Sequence, residues 1–318
     1  MTALLRKKIK QGAKHALWNL APGLSYWKEK TPVQEFSIGI CRSENLLGLD
    51  KAMHIERPVL TRRDVTDVPA AFVADPFLCR HEKGWYMFFE VLNQITSLGE
   101  IGVAWSADGM SWDYQKIVLK SRHHLSYPYV FRHEGTYYMV PECSRSQEVT
   151  IYRSSDFPFR WEPESTILHG KAFLDTSLFY HGNSWWLFTA TKDENQKYAL
   201  HLFFSNELHG GWQEHPASPV ARGLHVARPA GRVVPDSGRL YRFAQDGYPV
   251  YGSKVHLLEI SCLTRVQYEE KRVSDHPFLT QGEYAWNSGG MHHIDPHRLG
   301  DKGWLACVDG FRHERRPA

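Results

Sequence analysis

The sequence predicts an all-β fold, a single five-bladed β-propeller, and three observations predict it. "ADPFLCRHEKGWYMFFE" at 74–90 and "SYPYVFRHEGTYYMVPE" at 126–142 align without a gap, 52 residues apart. Three further segments carry the same pattern, at 174–190, 227–245 and 290–310. A second hairpin pattern follows each of the first four, starting at Ile101, Val149, Leu200 and Val255. Two hairpins make four strands, which is one propeller blade, and the spacing is near that of other propeller repeats. A β-sandwich would not need the fixed period.

Each unit reads as strand, polar or Gly-bearing turn, aromatic strand, the signature of a β-hairpin. An aromatic recurs just after the turn of the second hairpin, at Trp112, Trp161, Trp212 and Tyr268. The fifth unit ends after its first hairpin. Its missing half stands at the other end of the chain, where "FSIGICRSENLLGLDKAMHIERPVL" at 36–60 resembles "IGVAWSADGMSWDYQKIVL". The N-terminal segment is therefore expected to complete the last blade and close the ring, removing the sheet edges of an open array. The propeller is expected over 35–318, preceded by a short helical extension over 1–34. Residues 3–20 read as a basic amphipathic helix, with Leu4, Leu5, Ile9, Ala13, Leu17 and Leu20 roughly on one side. Such a helix rests on an anionic membrane surface or packs on its own domain.

Composition narrows the function classes. With 318 residues, 42% of them hydrophobic, the chain can bury a sizeable core. A net charge of +3 is too mild to argue for nucleic acid. Five scattered cysteines without a C-x-x-C pair argue against a disulfide framework and a thiolate zinc site. They fit reduced thiols in a cytoplasmic protein. Five basic residues between Arg6 and Lys14 break the N-terminal apolar run, so it is not read as a secretory signal. No 18-residue apolar span suggests a transmembrane helix. The expected location is the cytoplasm, with peripheral contact at the inner membrane face through residues 1–20 as one option. The dense aromatics (11 Trp, 15 Tyr, 16 Phe) suit strand packing or sugar-stacking platforms.

Positions where the copies disagree carry the chemistry. Scaffold positions repeat because every blade needs them. At the aligned channel position stand Asp75, Tyr127, Asp175 and Arg228, with His292, His293 and Asp295 in the last blade. Buried charges must be paired or solvated, so a ring of mixed charge on one axis reads as a site rather than a core. A second layer, Glu90, Glu142, Gln245 and Asp309, ends the second strands and either reaches the channel mouth or bonds a neighbouring blade's backbone. Two carboxyls flanking a glycosidic bond can supply an acid and a base, or an acid and a nucleophile. Asp75 is the expected base or nucleophile and Glu142 the expected acid, with Asp175 orienting the sugar or tuning that acid. Arg228 can hold a carboxylate or phosphate, or form an ion pair with Asp175 or Asp75. Arg232 joins it as a partner for a donor phosphate. Gln245, Asp246 and Tyr251 are candidate partners of sugar hydroxyls. His292 and His293 are adjacent and face opposite sides of a strand, so they do not readily share a metal. With His297 nearby, ordinary polar lining is expected rather than an axial cation, and no cofactor is required. His123 and His124 read as a blade-connecting loop.

With "DVTDVPAAFVADPF", "HLSYPYVF", "YYMVPE", "ARPAGR" and "WNSGGMHHIDP" on the page, the chain resembles the five-bladed propeller glycosidases of the arabinanase, levansucrase and invertase type. It is more similar to the glycosidase-like N-terminal domain of glucosamine inositolphosphorylceramide transferases and its stand-alone bacterial relatives, over roughly 35–312. The glycosidase likeness implies a first-blade Asp as base or nucleophile, a role that falls on Asp75. The second-blade Asp of that pattern is replaced by Tyr127. Asp175 takes the third-blade place where those enzymes carry a Glu, and Glu142 comes one blade early. Three function classes follow: an enzyme cleaving or transferring a glycosidic bond in glycan or glycolipid metabolism, a nucleotide-sugar-dependent glycosyltransferase of polysaccharide assembly, and a non-catalytic glycan-binding module.

Overall fold

A computed structural model describes residues 34–82, 84–195 and 197–313, so the expected N-terminal helix lies outside the described residues. Five sheets form the five blades of the ring. Blade 1 runs Ala70–His81, Gly84–Asn93, Leu98–Ser106 and Asp113–Leu119, and blade 2 runs Ser126–His133, Thr136–Glu142, Glu148–Asp156 and Arg160–His169. All pairings are antiparallel, and in blades 1 and 2 they join strands consecutive in sequence, whereas blade 5 draws on both ends of the chain. There Ile294–Arg298 and Trp304–His313 pair with Gln34–Ser43 from the other end of the chain, so that Ile38 faces Asp309. This strand closes the ring as the repeat pattern predicted. The fourth strand of that blade is reduced to a bridge between Ile38 and Leu60, and a 3-10 helix at Leu47–His54 fills its place.

The inner hairpins turn in two residues. Glu134 and Gly135, Gly182 and Asn183, and Ser237 and Gly238 all have positive φ, the type I′ geometry that matches strand twist. The recurring aromatic of the outer hairpins closes the second turn. Trp112, Trp161 and Trp212 donate their indole N–H to Gly109, Pro158 and Leu208 carbonyls at 3.1, 2.8 and 3.0 Å. Blades 3 and 4 depart from the regular pattern. The outer strand of blade 3 splits into Gln213–Glu214 and Ala221–Arg222 around Pro216 and Pro219, which have no N–H for the ladder. The inner strand of blade 4 splits into Arg228–Pro229 and Val234–Asp236. Apolar burial lies between adjacent blades rather than on the axis. Phe77 and Phe88 of blade 1 pack with Tyr129 and Met139 of blade 2, and Phe188 and Leu200 of blade 3 pack with Leu240 and Ile260 of blade 4.

The axis is closed by side chains. Tyr127 is fully buried and crosses from blade 2 to blade 4. Its hydroxyl accepts the Gly231 N–H at 2.7 Å and donates to the Gly231 carbonyl at 3.0 Å, with Ser177 Oγ 2.8 Å away. Phe77 and His293 stack edge-on against its ring, at 4.8 and 5.3 Å between centroids. Gly231 must be glycine: its φ is +139°, and a Cβ there would stand 1.8 Å from the Ile294 carbonyl oxygen. Nearer the other face, the Arg232 guanidinium bonds Asp295, whose carboxylate also accepts the Leu78 N–H at 2.7 Å and faces His297 at 3.0 Å. Arg232 reaches the Leu78 and Val130 carbonyls as well, at 3.3 Å each, so this ion pair ties blades 4, 5, 1 and 2 together. Among the described residues no helix is long and apolar enough to cross a membrane.

Replacing Tyr127 by Phe keeps the ring but strands the buried Gly231 N–H. The expected cost is about 2 kcal/mol of unfolding free energy, the range for an orphaned buried donor. Chemical denaturation of the variant beside the wild type measures it, and an unchanged midpoint would remove the hydroxyl from this role.

Candidate active site

One backbone feature builds the site. In blades 1, 2 and 3 the inner strand slips its register at the same repeat position, and the residue there takes a left-handed conformation: Asp75 (φ 51°), Tyr127 (φ 46°) and Asp175 (φ 50°). Residues other than glycine rarely adopt this region, and each costs of order 1–2 kcal/mol. The slip leaves each residue's amide without a ladder partner, and a buried N–H has to be paired. Carboxylates supply the acceptors. Asp309 Oδ2 accepts the Asp75 N–H at 3.0 Å, Asp75 Oδ2 accepts the Tyr127 N–H at 3.2 Å, and Glu142 Oε2 accepts the Asp175 N–H at 3.0 Å. Each bond runs to the next blade. Asp175 continues the series through its side chain: Oδ2 accepts Arg228 Nε at 2.6 Å and Gln245 Nε2 at 3.0 Å. The second-layer carboxylates Glu142 and Asp309 thus bond a neighbouring blade's backbone, and Glu142 reaches the channel mouth too.

These groups open into a cavity of about 440 Å³ at one mouth of the channel. Of the residues singled out in the sequence, Asp75, Glu90, Glu142, Arg228 and Tyr251 line it. His124, Lys192, Tyr198, Phe72, Ser126 and Ser144 line it too, and the repeats alone do not single these out. His124 does sit in the loop between blades 1 and 2, but its Nε2 faces Glu90 at 2.9 Å while Nδ1 accepts the Gly99 N–H. Lys192 closes the second strand of blade 3, two residues past Ala190, which pairs with Leu174 as Glu90 pairs with Ala74 and Glu142 with Ser126. Register also corrects the alignment of Arg228. It pairs with Gln245 as Ala74 pairs with Glu90, so it stands one place before the left-handed position.

The other predicted residues lie beneath or beside the cavity. Asp175 is locked under Arg228 and is 2% exposed. Gln245 spends its amide on Asp175 and the Pro229 carbonyl. Asp246 is held by His225 (2.9 Å), His256 (3.0 Å) and the Tyr248 N–H (3.0 Å), so neither it nor Gln245 lines the pocket. Tyr127 is the axial plug described above. His293 turns away from the pocket and meets the Pro76 carbonyl at 2.9 Å, and Arg232 lines a separate depression with Trp304 and Arg298. The two adjacent histidines do face opposite ways, for His292 joins the pocket carboxylates.

Burial and pairing set the charges. His292 Nδ1 lies 2.8 Å from Asp309 Oδ1, and Nε2 lies 3.5 Å from Asp75 Oδ1. Burial opposes an imidazolium there, but Asp309 and then Asp75 outweigh it and raise His292 from the usual 6.5 to about 9. Asp309 is held low by the same cation despite its burial. Asp75, Asp309 and His292 bring one ligand atom each within 4.8 Å of one another. Burial pushes the Asp75 carboxyl up strongly, with His292 pulling the other way. Burial also pushes Glu142 up, and the neighbouring Asp175 charge adds to that rise while Arg228 opposes it. His293, buried without a carboxylate partner, falls to about 4.

Around this site the class of fold is plain: a five-bladed propeller like those of glycoside hydrolases. A family 117 glycoside hydrolase, Zg3597 from Zobellia galactanivorans, superposes with a TM-score of 0.53 over 86% of this chain and 90% of that one, at 13% identity. An exo-β-1,3-galactanase from Clostridium thermocellum superposes with a TM-score of 0.55 over 68% of this chain and 52% of that one, at 14% identity. At such identities the likeness is one of fold. Sequence goes further. The profile described as glucosamine inositolphosphorylceramide transferase 1, N-terminal, matches residues 36–311. Glucosamine inositolphosphorylceramide transferase 1 of Oryza sativa subsp. japonica is 38% identical over 274 residues, 83% of this chain and 37% of the relative. Its counterpart in Arabidopsis thaliana is 33% identical over 277 residues, 82% of this chain and 35% of the relative. The chain belongs to the family of that N-terminal domain, and it spans a little over a third of the length of these relatives.

The sign of the pH dependence follows from His292. Its folded pKa lies above the unfolded one, so its stabilisation is complete below about pH 6.5 and is lost as pH rises through about 9. Asp75 and Glu142, raised from 3.8 and 4.5 to about 8, act in the same direction, but their contribution is lost between about pH 4 and 8, so above that His292 carries the fall. The melting temperature is expected to fall steadily between neutral pH and about pH 9.5. A flat melting profile over that range would contradict a charged His292 between Asp309 and Asp75.

Proposed function

We propose that the protein is carbohydrate-active and that its channel-mouth pocket seats a saccharide of a glycan or glycolipid, whose glycosidic bond is cleaved or transferred between Asp75 and Glu142. One observation carries this reading. Two buried carboxyls each spend one oxygen on the next blade's amide, and both line the same cavity. The backbone bonds fix their positions, so they cost little reorganisation when charge develops on a substrate. Burial raises both, each to about 8, and the charges beside them differ. The strongest charge beside Glu142 is the Asp175 carboxylate, which favours the proton and suits a general acid. The strongest charge beside Asp75 is the His292 imidazolium, which favours the anion and suits a base or nucleophile. Glu142 gives its proton to the leaving oxygen. Asp75 then takes the proton of the attacking hydroxyl, from water in hydrolysis or an acceptor sugar in transfer, or attacks the anomeric carbon itself. Tyr198, Tyr251 and Phe72 offer ring faces on which a sugar can stack. The names of the relatives, with their glucosamine and inositolphosphorylceramide, and the glycosidase titles of the fold neighbours support this substrate class.

A second reading, a non-catalytic glycan-binding module, is favoured by blade 3. Asp175 is tied up by Arg228 and Gln245, and Ala190 stands where blades 1 and 2 carry Glu. One experiment separates the readings: a thermal-shift screen of free saccharides, glycolipid headgroups and nucleotide sugars, followed by product analysis of the hits, with wild type beside Asp75→Asn and Glu142→Gln. Ligand binding to the native state raises the melting temperature. The proposed enzyme turns over a saccharide hit and loses at least about 10²-fold in rate in both variants, the scale of general acid–base catalysis. Binding without turnover in the wild type would leave the module, and a response to nucleotide sugars alone would point to a nucleotide-sugar-dependent transferase.

A further inference from the structure

Charge divides the pocket wall. Blades 1 and 2 contribute Asp75, Glu90 and Glu142, with His124 from their connecting loop paired to Glu90, while blades 3 and 4 contribute Lys192 and Arg228. Lys192 is exposed at the rim. Its ammonium lies 5.0 Å over the Tyr198 ring, and among the described residues it has no hydrogen bond or ion pair. Arg228 lies 5.4 Å from the centre of the same ring and 5.3 Å from that of Tyr251. Asp175 grips only its Nε, and Gln245 in turn steadies Asp175. Among the described residues its terminal nitrogens make no hydrogen bond, and Nη2 meets Glu142 Oε2 only in a long ion pair, at 3.8 Å. A guanidinium fixed at one nitrogen with its fork left open is a preorganised receptor for an oxyanion. The free ammonium across the same phenol ring supplies a second charge, and a phosphate presents oxygens in enough directions to meet both.

We infer that the Lys192–Tyr198–Arg228 wall is a subsite for a phosphate group carried by the saccharide, either the diester of a glycolipid headgroup or the monoester of a sugar phosphate. This rests on the saccharide reading above and names its substrate as anionic. The sugar then lies toward the carboxyls of blades 1 and 2, with its phosphate toward blades 3 and 4.

The test is calorimetric titration at low ionic strength with matched neutral and phosphorylated ligands: inositol, inositol 1-phosphate and glycerophosphoinositol, and glucose with glucose 1-phosphate. In at least one series the phosphorylated member should bind about tenfold more tightly than the neutral one, the scale of charge-assisted hydrogen bonds. That ratio should shrink about fivefold in Lys192→Met and again when salt is raised to about 0.5 M, which screens an exposed charge. Wild-type salt dependence keeps the test independent of how the variant folds. Preference for the diester assigns a lipid headgroup, and preference for a monoester assigns a sugar phosphate. Equal affinities within each series would overturn the subsite and leave the saccharide reading standing. Binding by no member of any series, against a saccharide hit absent from the screen above, would remove both.

Discussion

The ring depends on a carboxylate that accepts the amide proton of a left-handed residue in the next blade. Asp309 does this for Asp75, Asp75 for Tyr127, and Glu142 for Asp175. The register slip that turns these residues out of the ladder creates three buried donors, and unpaired buried donors are too costly to leave. Acceptors that point across a blade junction satisfy them. The same bonds hold carboxyl groups at the channel mouth with no freedom to rotate away. Structural need and chemical supply are therefore met by the same atoms, and the strain of the left-handed positions sits where the site is.

Two departures from symmetry turn this ring into a pocket. Tyr127 replaces a carboxylate in blade 2 and sends its ring down the axis to Gly231, closing the channel below the site. The space above becomes a dead-ended cavity rather than a pore. Blade 3 carries Ala190 in place of a Glu and places Lys192 two residues further out, while blade 4 supplies Arg228. Carboxyls and cations consequently line one cavity of about 440 Å³, with the Tyr198 ring against both Lys192 and Arg228. The buried Arg232–Asp295 pair near the other face carries no such opening; its bonds run to the backbones of blades 1 and 2 and serve the ring itself.

Much of this was legible in the residues. The period of the hairpins, and the half-blade at each end of the chain, define five blades and their closure, because packing repeats whatever every blade needs. Disagreement at an aligned position pointed to Asp75 and Arg228, and the shared end of the second strands pointed to Glu90 and Glu142. What sequence could not show was the direction of each side chain. Asp175 was open between orienting the sugar, tuning the acid and pairing with Arg228, and Arg228 and Gln245 both bond it. Gln245 and Asp246 looked like sugar partners, yet both are spent on holding other residues. Tyr127 looked like a ligand-binding phenol, yet it is a plug. Lys192 and His124 were hidden because they come from a strand end and a loop, where repeats diverge and alignment carries no weight. The register slip, visible only in the ladder, is also what moves Arg228 one place from its apparent equivalents.

The most direct measurement is a crystal structure of Glu142→Gln with a phosphorylated saccharide bound, since this variant retains the shape of the site and blocks turnover. The account predicts a sugar ring against Tyr198 or Tyr251, a glycosidic oxygen facing residue 142, and Asp75 on its other side. A ligand seated instead in the depression beside Arg232 and Trp304, with the channel-mouth cavity filled only by water, would contradict it.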